Sequence, residues 1–242
     1  MSVVKRNNLV FPALMNEIFK PDWFGGMGTI VSAVLSNDAW ELSNALSNNV
    51  GIWPLGLIVL LVSAIAILLL YRAIPPLERY LEPTVMVSTY LLMGGIIFAG
   101  VIQRFFLDGQ PSWSSTMPAW LFLIMAWFGC GYNVKLRTHL AFSEFRTNMN
   151  RNMQMFCLSL DAVLWIVFSW IVFVTGIRVT ANSASNFSIV PGTDNTMQWW
   201  FLVILPLSFA LLTARALENW LTDFKNYKSG STLISQAVIG GE

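Results

Sequence analysis

The run Ile52-Trp-Pro-Leu-Gly-Leu-Ile-Val-Leu-Leu-Val-Ser-Ala-Ile-Ala-Ile-Leu-Leu-Leu-Tyr71 holds no charged side chain until Arg72 follows it. A bilayer core of roughly 30 Å needs about 20 apolar residues in a helix, and this stretch supplies them. Its apolar positions are continuous, with none of the alternation of a membrane barrel strand. The reading is a transmembrane α-helix, and four further runs repeat it: Thr84–Leu107, Pro118–Val134, Met153–Thr175 and Met197–Leu217. The last contains Pro206, which predicts a kink.

Composition agrees. Of 242 residues, 55% are hydrophobic and only 11% charged, against roughly 25% in soluble domains. These values exclude a disordered chain, a nucleic-acid binder and an ordinary soluble enzyme. The two cysteines, Cys130 and Cys157, lie in apolar runs and read as small buried hydrophobes. A membrane cytochrome needs paired axial histidines, and a single histidine cannot provide them.

Residues 1–51 are of another kind, polar and rich in Asn and Ser, with Lys5, Arg6 and Lys20 as their cations. Val31, Leu35, Ala39, Leu42 and Leu46 nevertheless recur at helical spacing opposite Asn37, Asp38, Glu41 and Asn44. That pattern suits either a helix in the membrane interface or a solvated helix packed on the protein's own loops.

The cations set the topology. Arg72, Arg79, Lys135, Arg137, Arg146, Arg151, Arg215, Lys225 and Lys228 fall on one side, nine in number, against Arg104 and Arg178 on the other. The nine should be cytoplasmic, and the C-terminus with them. Five spans then place the N-terminal tail outside, in conflict with its own three cations.

Chemistry-bearing residues are few. Of the 13 Asp and Glu, only Asp161 falls well inside a span as read above. An intramembrane carboxylate is by default a functional candidate. A structural ion pair within the bundle or with another subunit competes with a proton or ion site, and Lys135 and Arg215 are the cations placed to reach Asp161. There is no phosphate-binding glycine loop, no Ser/His/Asp arrangement and no metal cluster, since His139 is alone. No cofactor is expected. Gly95 and Ala99, and likewise Gly129 and Gly131 around Cys130, form small-residue faces that suit either a subunit interface or packing within the chain. Trp53, Trp113, Trp120, Trp199 and Trp200 sit near span ends, as interfacial indoles do, while Trp165 and Trp170 are deeper and should face lipid or a partner.

One stretch is more particular. In Trp127-Phe-Gly-Cys-Gly-Tyr-Asn-Val-Lys-Leu-Arg-Thr-His-Leu-Ala141 an apolar helix ends in small residues and passes into a basic segment closing on His139-Leu140. Together with Ile102-Gln-Arg104-Phe105 at the end of the preceding run, it resembles the small membrane subunit (DctQ type) of tripartite ATP-independent periplasmic (TRAP) transporters. The resemblance covers roughly residues 75–225 and implies an all-α membrane protein with a four-helix core. Residues 52–74 would be an additional N-terminal hydrophobic helix, residues 1–51 an amphipathic segment and residues 226–242 a C-terminal tail. Arg104, Lys135, Arg137, His139, Arg146 and Arg151 would be family-motif residues at the lipid headgroups. Where such subunits often carry a Trp followed by paired Glu, Trp113 here is followed by Ser114, Ser115 and Thr116.

The resemblance also implies a function. A non-catalytic scaffold of this kind works with a large membrane subunit, which carries the substrate and sodium sites, and with a periplasmic substrate-binding protein that delivers an organic acid. The setting would be the bacterial inner membrane. The competing readings are a haem-free membrane anchor of an oxidoreductase complex and an independent small channel or carrier.

Overall fold

A computed structural model describes residues 23–107, 109–137 and 149–233. These form helices α1 (Trp23–Leu35), α2 (Ala39–Asn48), α3 (Ile52–Ala73), α4 (Pro75–Phe106), α5 (Trp113–Leu136), α6 (Arg151–Ser185), α7 (Trp199–Leu202) and α8 (Ile204–Ser229). Five are long and apolar enough to cross a membrane when α7 and α8 are taken together. The protein is an all-α, multi-pass membrane protein.

The periodic segment before Ile52 is not one helix. Asn37 adopts the left-handed region at φ 57°. Asp38 then starts α2 by accepting from the backbone N–H groups of Trp40 at 2.8 Å and Glu41 at 3.4 Å, a cap worth about 1 kcal/mol. Of the apolar stripe Leu46 is buried, whereas Val31 and Leu35 are exposed and Ile30, Ala33 and Ser43 are buried beside Leu46. Both helices rest on the body of the protein, chiefly on α6 and the start of α3.

Between α3 and α4 stands Ile74 alone, and Pro75 and Pro76 open α4 where a helix needs no N–H donors. The helix starts nine residues before Thr84 because Pro83 is accommodated inside it. Glu78 and Glu82 therefore lie on a helix rather than in a loop.

Pro206 also departs from expectation. Its ring would collide with the carbonyl of Leu202, four residues earlier. The helix ends at Leu202 and restarts at Ile204, so Pro206 sits in the first turn of α8 and introduces no mid-span kink. Gly230, at φ 80°, closes α8 with its N–H on Asn226 O.

Helix α8 is the centre of the bundle. Half of the apolar window of α7–α8 is buried, against at most 22% for any other span. It packs on α6, α5 and α3, while α4 leans mainly on α5. Gly131 faces α8 across the α5–α8 contact, where a Cβ would rest at ordinary van der Waals distance, 3.8 Å from the Leu212 Cα. At the end where α5 begins, Gly192 turns the loop at φ 81° against Ser112, where a Cβ would come within 2.7 Å of its carbonyl. Thr116 Oγ1 donates to Pro191 O at 2.8 Å.

Gly56 sets how close α3 comes to α6. A Cβ there would lie 2.5 Å from Val174 Cγ2, and a β-branched side chain in a helix has almost no other rotamer to take. Gly56→Ala should therefore destabilise by about 1–3 kcal/mol, the usual penalty of overpacking, and Val174→Ala in the same chain should recover most of the loss. Thermal unfolding of the two variants in detergent checks this, and equal stability of Gly56→Ala and the parent would refute the close contact.

Candidate functional site

The least expected feature is a buried charge cluster at the end where α3 stops, α4 starts and α5 stops. Arg215 of α8 is fully buried, with 0% of its side chain exposed, and faces Glu82 of α4 at 1%. The pair is a two-point fork: Nε donates to Oε1 at 2.9 Å and Nη2 to Oε2 at 3.0 Å. The remaining donors go to Glu218 Oε2 at 2.9 Å, Glu78 Oε1 at 3.3 Å and the Glu78 carbonyl at 3.0 Å. A guanidinium has five N–H donors, and every one has an acceptor. The ring of Tyr71, from α3, lies 4.4 Å from the guanidinium carbon, a cation–π stack. Lys135 of α5 adds its ammonium to Glu78, 2.9 Å from the carbonyl and 3.5 Å from Oε1. Helices α3, α4 and α8 thus meet at Arg215, and α5 joins them through Glu78.

A second layer continues toward the basic end of the bundle. Arg137 donates to Asp223 Oδ1 at 2.8 Å and to the Asn219 carbonyl at 3.2 Å. Asn219 Nδ2 returns a bond to Val134 O at 2.7 Å. Arg151, the first residue of α6, reaches the carbonyls of Asn226 and Tyr227 and that of Gly230, each at 2.9 Å. The last carbonyls of a helix lack partners within it and carry its negative pole, so cations are favoured there.

This changes the roles read from the sequence. Lys135 and Arg215, expected to reach Asp161, are held by glutamates instead, because α4 brings Glu78 and Glu82 into the bundle. Lys135, Arg137 and Arg151, expected at lipid headgroups, bind carbonyls and carboxylates of their own chain. Asp161 is half-buried on α6 and has a contact of its own. Two residues before it, Ser159 accepts from Trp220 of α8 at 3.2 Å. Arg104 is exposed in the last turn of α4. His139 and Arg146 lie outside the described residues.

The small residues divide. Gly129 faces Met86, whose Cε would be 3.5 Å from an added Cβ, and Gly131 faces α8, so both serve packing within the chain. Gly95 and Ala99 are exposed and line an open apolar groove between α4 and α5 with Leu92, Ile96, Gln103 and Trp113. A Cβ on Gly95 would meet nothing. Trp170 does not face lipid or a partner: its Nε1 donates to Trp53 O at 2.9 Å and its ring packs edge-on to that of Trp53.

Sequence reasoning missed Glu82 and Arg215 as a pair because a span read from Thr84 leaves Glu78 and Glu82 outside it. The available signal was Glu78 and Glu82, four apart directly after Pro75-Pro76, and Arg215 as the first charge in a long apolar run. The donors of Arg215 are all satisfied within the chain, while Glu78 and Glu218 stay more than a third exposed and the buried Tyr71 hydroxyl has no hydrogen-bond partner among the described residues. Among the described residues no group of three or more His, Cys, Asp or Glu side chains could hold a metal ion.

Comparison with known families agrees with this architecture. A sequence model of the tripartite ATP-independent periplasmic transporters, DctQ component, matches residues 93–226. That is more than half of the chain, and the chain belongs to this family. The family is a transporter component and not an enzyme. No curated protein matches the sequence.

Removing Arg215 should strand Glu82 in the bundle. Loss of one partner of a buried pair costs roughly 3–5 kcal/mol, so Arg215→Ala should lower the thermal stability of the purified chain sharply. Arg215→Met with Glu82→Leu, which removes both charges, should recover a large part. Unfolding followed in detergent distinguishes the two, and a stable Arg215→Ala chain would show that the fork does not hold the bundle.

Proposed function

We propose that this member of the DctQ family is the non-catalytic small membrane subunit of a sodium-coupled transporter that imports an organic acid across the bacterial inner membrane. It anchors and widens the static part of the complex in the bilayer. A large membrane subunit carries the substrate and sodium sites, and a periplasmic binding protein delivers the substrate. The observation that carries this reading is the Arg215 cluster. Every donor of Arg215, the one fully buried cation among the described residues, is committed to this chain, which leaves it free for neither substrate nor ion. Membership of a transporter family favours this over a haem-free oxidoreductase anchor.

The open face of α4 around Gly95 and Ala99 is the seat we assign to the large subunit. Only 11% of the apolar window of α4 is buried within the chain, the lowest of the five spans. Small residues let a neighbouring helix approach closely, and in lipid such packing drives association. The cation-rich end, with Arg72, Lys135, Arg137, Arg151 and Lys228, is taken as cytoplasmic, and the C-terminus with it.

The chain should co-purify with a larger polytopic membrane protein and by itself transport nothing. Sodium-dependent uptake of an organic acid by liposomes holding this chain alone would refute the scaffold reading.

Asp161 should contribute to assembly rather than to ion coupling. Asp161→Asn keeps shape and most hydrogen-bonding capacity, so the complete transporter should retain its sodium stoichiometry, whereas Asp161→Leu should weaken the complex. Fewer coupled sodium ions per substrate in an intact Asn variant would place Asp161 in the transport site.

A further inference from the structure

The α1–α2 hairpin lies outside the family match and takes no part in the charge cluster. Its inner face is well anchored. Ile30 and Leu46 are buried with Ile52 of α3 and with Val174 and Ala181 of α6. Gly26 approaches Gly51 so closely that a Cβ would stand 3.3 Å from the Gly51 nitrogen. Arg178 of α6 donates through Nε to the Leu46 carbonyl at 2.9 Å and lies 5.6 Å from the Trp53 ring centre.

These contacts give the depth of the hairpin. A long cationic side chain near a span end extends to the headgroups, and an indole favours the same level. Arg178 and Trp53 together mark that level at the end where α3 begins. Val174 lies four residues further along α6, about 6 Å deeper at the helical rise. The hairpin touches both levels. It therefore lies beside α6 and the head of α3, at the depth of one leaflet, and not on top of the bundle.

Its outer face has two characters. Helix α1 contains no charged residue in its 13 positions, yet Phe24 is 84% exposed, Leu35 80%, and Val31 and Val34 are exposed as well. Helix α2 opens on exposed Trp40 and then presents Glu41, Asn44, Ser47 and Asn48, all exposed. The bare apolar side of α1 stands at the same end of the bundle as the exposed Ile58 and Val59 of α3 and Val179 of α6. An apolar helix face beside a polar one, at this depth, has the form of an interfacial anchor.

We propose that α1 is embedded in the leaflet on which α3 begins. Phe24, Val31, Val34 and Leu35 meet phospholipid at the boundary of headgroups and acyl chains, and α2 turns its polar side to water. The inference needs only the membrane spans and is independent of the transported substrate and of the transporter reading.

Spin labels test it on the full chain, purified with its co-purifying membrane proteins and reconstituted into vesicles of phosphatidylethanolamine and phosphatidylglycerol. In a background of Cys130→Ser and Cys157→Ser, labels are placed at Val31→Cys, Val34→Cys and, as reference, Asn44→Cys. Collision with oxygen, which concentrates among acyl chains, is compared with collision with a water-soluble nickel chelate. Oxygen should exceed the chelate severalfold at positions 31 and 34, with the order reversed at 44. Dominant chelate collisions at 31 and 34 would put α1 in water and overturn the proposal. Exclusion of both reagents there would mean that a protein partner covers the face, and would overturn it equally.

Discussion

One guanidinium sets the arrangement of the helices. Arg215 is buried in a chain that crosses a membrane, where a cation at a helix centre costs roughly 2.5–3.5 kcal/mol even on insertion scales. That cost is offset only when every donor is matched, and here the five acceptors come from α4 and α8 while Tyr71 of α3 supplies the stacking ring. A one-turn shift of α4 against α8 would either put Met86 in the place of Glu82 or put Glu78 there and carry Glu82 a turn away from its partner. Well-packed apolar residues could replace such a pair with little loss of stability. What the pair supplies is therefore register: one alignment of the helix ends satisfies it and others do not.

Close packing works with the same constraint. Lipid tails are as apolar as leucine, so helices in a bilayer gain little from hiding apolar side chains and more from fitting together. Gly131 faces the Leu212 backbone across the α5–α8 contact, and Gly56 admits the Val174 side chain between α3 and α6. Helix α4 packs mainly on α5, and Gly95 and Ala99 lie on its uncovered side.

The basic end of the bundle shows one set of charges acting in two ways. As loop cations they orient the chain by the positive-inside bias. In the folded protein Lys135 and Arg137 also tie helices together, on Glu78 in the first turn of α4 and on Asn219 and Asp223 within α8, while Arg151 binds the last carbonyls of α8. For Arg151 the two roles are compatible because a helix C-terminus presents unpaired carbonyls and a negative pole that favours a cation.

The amino-acid sequence by itself determined the membrane class, the number of spans and the family, through features that are local in the chain: uncharged runs about 20 residues long, and the basic stretch after Trp127. It also singled out Gly129 and Gly131 as close-contact positions, and the fold decided that their neighbours belong to the same chain. Other features needed the tertiary structure because they depend on distant residues. Glu82 and Arg215 are 133 positions apart, and nothing local marks them as a pair. Pro206, read as a mid-span kink, instead falls in the first turn of α8 because the helix breaks at Val203, while α4 runs on through Pro83. The stripe Val31–Leu46 reads as one amphipathic helix until Asn37 and Asp38 turn the chain, and the face it buries follows from contact with α6. Periodicity reports that a helix has an apolar side. Which side is covered, and by what, is settled only when the other helices are in place.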